Sequence, residues 1–200
     1  MLEKDIPDYN IFMICEKLNK NAFRELPKDY HIRSCKKSEF DVWKKFPFDD
    51  EKTAQKYDKF MEEYFEKVYK SKKDLFFTEC KFICNKEDKP VSTGFIWKQY
   101  DKYTTVHWLK TLKEEEGKGL GRALLTCILR EIDLKDYPVY LHTQPGSFRA
   151  IKLYSDFGFK LINSAGLIDK RKNEVEESLP ILKEFMIKKD YDNLKFYNKK

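Results

Sequence analysis

The sequence is short of the residues that define several protein classes. Seven glycines and seven prolines in 200 residues exclude collagen-like and low-complexity chains. No apolar run approaches the roughly 18 residues that a membrane helix needs, so no membrane partner is expected. The longest apolar stretch near the start, Ile11 to Cys15, follows acidic residues with no basic segment before it, and so does not read as an export signal. Histidine is scarce at three residues, and the five cysteines (Cys15, Cys35, Cys80, Cys84, Cys127) are odd in number and scattered. Such thiols read as reduced, in a cytoplasmic protein. Cys80 and Cys84 share one face of a strand-like run. No second Cys/His pair has metal-ligand spacing, so no metal is expected.

Aromatic residues are abundant. Sixteen Phe, 12 Tyr and 3 Trp supply enough apolar surface for a core and exclude disorder. The length fits one domain of about 150 residues or more. Lys and Arg number 40 against 34 acidic residues, an excess of only +6. The signs are interleaved, as where Lys170, Arg171 and Lys172 stand close to Glu174, Glu176 and Glu177. This predicts a mixed, solvated surface and no nucleic-acid partner, although a local positive excess can still attract a small anion.

Residues 1–29 read as an extension packed on the core, and 30–200 as the main domain. Tyr30 to Cys35 alternates as a strand, and a short helix carries Phe40 and Trp43 before Phe46-Pro47 stops it. Asp49 or Asp50 opens a long helix whose stripe is Ala54, Tyr57, Met61, Tyr64, Phe65 and Val68. Three strands are predicted over Leu75 to Cys84, Pro90 to Lys98 and Tyr103 to Leu112, joined by short polar turns as an antiparallel meander. A helix from Gly119, a strand over Pro138 to His142, a helix capped by Ser147 and closed by Gly158, and a strand over Phe159 to Ile162 follow. The order is that of a mixed α/β sheet with crossover helices. Residues 163–200 read as a helical extension. Glu174 to Lys188 has one apolar face (Leu179, Leu182, Phe185, Met186). It could deliver Leu194 to Tyr197 as a last strand, cover a binding site or mediate a homodimer.

The chemistry-bearing segment is Leu109 to Leu125, LKTLKEEEGKGLGRALL. A strand ends, Gly117, Gly119 and Gly121 alternate, and a helix starts at once. Glycine lets the backbone approach a ligand closely, and the first amides of a helix with its dipole form an anion site. Lys118 and Arg122 add positive charge, so a pyrophosphate fits. The dinucleotide fingerprint fails because Arg122 stands where its third glycine is needed, and no G-K-[ST] completes a P-loop. The loop alone fits both a phosphate cradle and a plain strand-to-helix turn.

A second element, Ser147 to Phe159 (SFRAIKLYSDFGF), adds to it. Together the two resemble the GNAT superfamily of acetyl-CoA-dependent N-acetyltransferases. Gly119 and Gly121 match the glycines of that family's [QR]-x-x-G-x-[GA] loop. Ala150, Leu153, Tyr154, Gly158 and Phe159 match its N-x-x-A-x-x-L-Y-x-x-x-G-F element. The resemblance covers roughly Tyr30 to Ile162. Glu116 departs from the loop's Gln or Arg, and Ser147 from the helix's Asn.

The resemblance implies a mixed, mostly antiparallel twisted sheet with helices on both faces, and acetyl-CoA as cosubstrate. It implies that backbone groups of Leu109 and Thr111 bind the pantetheine arm. Gly117, Lys118, Gly119, Leu120, Gly121 and Arg122 hold the pyrophosphate, with Ser147 nearby. Tyr154 protonates the departing CoA thiolate. A neutral amine acceptor, small molecule or peptide, calls for a base, for which His107 is the first candidate and His142 the second. Phe46, Phe48, Asp49 and Asp50 form an aromatic and acidic wall suited to a cationic amine. The three carboxylates Glu114 to Glu116 would repel a phosphate unless they point away. A non-catalytic acyl-CoA-binding module on the same fold is the alternative.

Overall fold

The computed structural model describes residues 5–164, 167–168 and 170–198. In chain order the elements are β1 (Ile11–Cys15), β2 (His31–Ser34), α1 (Phe40–Lys45), α2 (Glu51–Val68), α3 (Lys73–Glu79) and β3 (Lys81–Cys84). Next come β4 (Pro90–Gln99), β5 (Tyr103–Thr111), α4 (Leu120–Arg130), β6 (Val139–Thr143), α5 (Phe148–Asp156) and β7 (Lys160–Ile162). The chain ends with the hairpin β8 (Leu167–Ile168) and β9 (Arg171–Lys172), then α6 (Val175–Phe185), α7 (Lys188–Asp192) and β10 (Phe196–Tyr197). No helix of the described residues is long and apolar enough to cross a membrane. The chain divides into two compact units: Met1–Phe23, Lys98–Thr105 and Asp133–Lys200 form one, and Arg24–Trp97 with Val106–Ile132 the other.

In the first unit β1 lies between two partners. It runs antiparallel to β6, with Met13 opposite Leu141, and antiparallel to β7, with Met13 opposite Leu161. All five of its residues are buried. The segment expected as an extension packed on the core therefore supplies an interior strand. Its unbroken Ile-Phe-Met-Ile-Cys run is the pattern of a strand covered on both faces, where alternation is lost. β10 pairs parallel with β7, Phe196 opposite Leu161. Of the three readings of the C-terminal segment, the last strand is the one this pairing matches. The face that α6 buries is Val175, Ser178, Ile181 and Leu182, shifted from the expected one because Leu179 and Phe185 are only half-buried.

Gly158 closes α5 with φ +99°, as expected of a left-handed helix end. Space demands glycine there as well. A Cβ at this position would lie 2.8 Å from the Lys17 carbonyl oxygen, and Asn19 N–H donates to the Phe157 carbonyl beside it at 2.9 Å. Gly158→Ala is expected to cost about 1–3 kcal/mol through strain and backbone displacement, read as a fall in the urea midpoint with unchanged slope. A midpoint equal to that of the unaltered chain would contradict this packing.

In the second unit β2 pairs antiparallel with β3, and β3 with β4. β5 neighbours β4. Asp50 caps α2 by accepting from Thr53 N–H at 2.9 Å. The core of this unit is aromatic. Trp43 sits 4.9 Å from Phe76 and 5.9 Å from Tyr69 between ring centroids, and Tyr69 lies 5.0 Å from Trp97. One expected strand is partly helix. Leu75 to Glu79 belongs to α3, whose Thr78 hydroxyl donates to the Asp74 carbonyl and whose end bonds Cys80 N–H to Phe76. A run such as Leu75-Phe76-Phe77 has no period of its own, and burial of Phe76 and Phe77 against the aromatic core selects the helix.

Candidate functional site

The glycine-rich turn between β5 and α4 lies in the second unit. Gly117 has φ +80° and Gly119 φ +81° with ψ +5°, the left-handed region that side chains disfavour. A Cβ on either would meet no atom within 4 Å, so the backbone requires glycine while the space above the turn stays open. Gly119 is the N-cap of α4, and its carbonyl accepts from Ala123 N–H at 3.0 Å. Helix geometry gives the amides of Leu120, Gly121 and Arg122 no intrahelical acceptor. The first turn holds no acidic residue, and buried Leu120 pins it to the core. Together with the helix dipole this is an anion-binding arrangement.

Charges around the turn differ from the expected ones. Lys118 donates to Glu115 Oε2 at 2.8 Å, and the Tyr30 hydroxyl donates to the same oxygen at 2.7 Å. The Lys118 ammonium holds the Glu115 carboxyl below the usual carboxylate range, and Glu115 in turn raises Lys118. Glu115 is thus satisfied locally, while Lys118 is already ion-paired. Arg122 is the motif's second cation, in the first turn of α4.

Leading into the turn, β5 is irregular. Its pairing with β6 covers Thr104 and Thr105. Leu109 fits over Gly94, where an added Cβ would lie 2.9 Å from Leu109 Cδ1. The Thr111 hydroxyl is 2.9 Å from that of Ser92. Trp108 has φ +51°, a conformation costly for a bulky residue. Regular alternation would place His107 and Trp108 on opposite faces; with this kink both reach the Tyr69 hydroxyl. His107 Nδ1 is 2.5 Å from it, and Trp108 Nε1 donates to it at 3.0 Å. Tyr69 is fully buried. Desolvation first, and then the neighbouring Tyr64, drives its phenol well above the ordinary tyrosine value.

Ser147 and Tyr154 belong to the first unit. Ser147 occupies the N-cap position of α5, but its side chain makes no capping bond, contrary to the sequence expectation. Tyr154 is buried, with its ring 5.9 Å from Phe159, and burial raises its phenol above the ordinary value. It therefore stays protonated over the physiological range. His142 Nδ1 lies 3.1 Å from an Arg171 nitrogen, and its Nε2 is 2.9 Å from Asn10 Oδ1. Arginine only donates, so the hydrogen of a neutral His142 ring is on Nε2. The Asn10 orientation follows from its own donation to Glu174 at 3.0 Å. His142 therefore presents Arg171 where a base would need its lone pair.

The expected acceptor wall is largely committed elsewhere. Phe46 is buried 5.3 Å from Phe82, Asp50 caps α2, and Asp49 is held by Lys110 at 2.5 Å. Phe48 stacks on Tyr57 at 5.3 Å. The sequence also gave no hint that His31, Cys84 and Asp88 come within 4.8 Å of one another. Arg33 and Lys36 each reach an Asp88 oxygen at 2.7 Å, so cations already occupy both of its oxygens.

The model of the acetyltransferase (GNAT) family matches residues 39–159. No curated protein matches. Among solved structures, a GNAT-family acetyltransferase from Colwellia psychrerythraea is 13% identical, with a TM-score of 0.48, covering 78% of this chain and 53% of its own. A GCN5-related N-acetyltransferase from Kribbella flavida is 18% identical, TM-score 0.46, covering 76% and 53%. One from Sphaerobacter thermophilus is 12% identical, TM-score 0.48, covering 68% and 43%. The chain spans about half the length of these three proteins.

Proposed function

The chain belongs to the acetyltransferase (GNAT) family, and from that premise we propose that it moves an acetyl group from acetyl-CoA directly to a primary amine. The observation that carries this reading is the start of α4: two left-handed glycines, open space above them and a first turn without acidic residues. The amides of Gly119 to Arg122 receive the pyrophosphate, Arg122 adds charge, and backbone groups of Leu109 and Thr111 hold the pantetheine arm. Tyr154 gives its phenolic proton to the CoA thiolate as the carbon–sulfur bond breaks and the amide bond forms; the acceptor nitrogen sheds one proton to solvent, and solvent returns one to the Tyr154 phenolate. The acceptor is a small-molecule or peptide amine.

A second reading, binding of acyl-CoA without turnover, draws on the committed state of Lys118 and His142. Calorimetric titration with acetyl-CoA followed by thiol detection over an amine panel separates the two. Binding with amine-dependent thiol release supports transfer. Binding without release supports the second reading, and no binding removes both.

A further inference from the structure

At the end of α4 away from the glycine-rich turn, the second unit holds a cavity of about 280 Å³. Ile32 and Ser34 of β2 and Lys81 of β3 line one side, and Cys127, Ile128 and Glu131 of α4 the other. Ser34 and Lys81 are register partners, so they share a face of the sheet, and Ile32, two residues before Ser34, shares it too. Pockets for drug-sized ligands span about 300–1,000 Å³, so this one suits a small metabolite.

Two of the charges on its walls are already paired. Glu39 holds Arg33 through two bonds of 2.7 and 2.8 Å, and Arg130 donates to Glu25 at 2.9 Å. Two are not. Lys81 donates to neutral oxygens, the Thr78 carbonyl at 2.8 Å and the Ser34 hydroxyl at 3.2 Å. An ammonium has three hydrogens, so one is left to give, and no carboxylate among the described residues pairs with it. Glu131 likewise has no cation partner among the described residues, and it stands at the C-terminal cap of α4. There the helix dipole is negative and the last carbonyls lack intrahelical donors, so a cation is favoured.

We propose that this cavity binds a zwitterionic α-amino acid with a small apolar side chain. Its carboxylate meets Lys81, its ammonium meets Glu131 and the end of α4, and its side chain lies between Ile32 and Ile128. Cys127 is in the same wall and is the one cysteine of the five that is not buried, so its thiol reports occupancy. The 11 residues of α4 put the site about 16 Å from the glycine-rich turn. It does not depend on the acetyl-transfer reading.

The test uses L-valine and the full chain. Calorimetric titration gives the dissociation constant. Iodoacetamide labelling, located by peptide mass spectrometry, then reads the site; it is run at neutral pH over hours, since burial holds the Cys127 thiol above its ordinary value. With L-valine at ten times its dissociation constant, Cys127 labelling is expected to slow about tenfold, in step with the free fraction of the site. Valine methyl ester, without the carboxylate, and N-acetylvaline, without the ammonium, are expected to leave the rate unchanged. Lys81→Met and Glu131→Gln are each expected to abolish the L-valine heat while circular dichroism stays that of the unaltered chain. Should Lys81→Met not fold, Glu131→Gln, at an exposed position, and the two analogues carry the same test. No heat with L-valine would overturn the proposal. So would binding that leaves Cys127 unprotected, which places the amino acid elsewhere, or equal protection by either analogue, which removes recognition by two charges. Failure of thiol release from acetyl-CoA would leave this site standing and sink only the proposed reaction.

Discussion

Tyr154→Phe is expected to lower acetyl transfer by about 100-fold or more, the usual contribution of a general acid, with affinity for acetyl-CoA unchanged. The phenol is buried in α5, and burial raises its pKa above the ordinary 10.0. It remains protonated while a free amine acceptor becomes increasingly neutral with rising pH. The rate should therefore rise with pH, and loss of the Tyr154 proton should not limit it below pH 10.0. Phenylalanine keeps the ring contact with Phe159 and removes only the donor. Stopped-flow thiol detection gives kcat, and calorimetry gives the acetyl-CoA affinity. Equal kcat for both chains across the pH range would dismiss Tyr154 as the acid.

The largest expected loss of stability is at Trp43. The residue is 1% exposed and lies within ring-contact distance of Phe40, Phe65, Tyr69, Phe76 and Trp108. Trp43→Ala leaves a cavity walled by stiff rings that cannot collapse into it, so about 3–5 kcal/mol should be lost. Trp108 loses its edge contact with Trp43 at 6.0 Å, so the β5 kink should loosen as well. Urea unfolding followed by fluorescence checks the first effect. A loss below about 1 kcal/mol would mean that the aromatic core is not close-packed.

Local signals gave away much of this architecture. Asp50 caps α2 as its position before the apolar stripe suggested, the turn at Asp101-Lys102 separates β4 from β5, and the glycines before α4 adopt the conformations that only glycine takes easily. What stayed hidden depended on distant partners. Ile11 to Cys15 is a continuous apolar run, and nothing local says that Met13 will face Leu141 on one side and Leu161 on the other. Leu75 to Phe77 is equally periodless, and the packing of Phe76 settles it as helix. The kink at Trp108 defeats the alternation rule, so His107 looked like a strand histidine aimed at an acceptor, whereas its Nδ1 meets Tyr69, 38 residues earlier. Glu115 and Lys118 are three apart and of opposite sign, so their pairing was readable, yet the motif reading assigned Lys118 to a phosphate. Function-bearing motifs named the loop, and the pairing of Lys118 with Glu115 within it is local.

The central claim is acetyl transfer from acetyl-CoA to an amine. It is tested most directly by incubating the full chain with acetyl-CoA carrying a ¹³C-labelled acetyl group and a panel of primary amines, followed by mass spectrometry. The account predicts a labelled acetyl-amine for at least one acceptor class, formed in step with an equal amount of free CoA. CoA that binds but is released no faster with any amine than without, and no labelled amide, would contradict it.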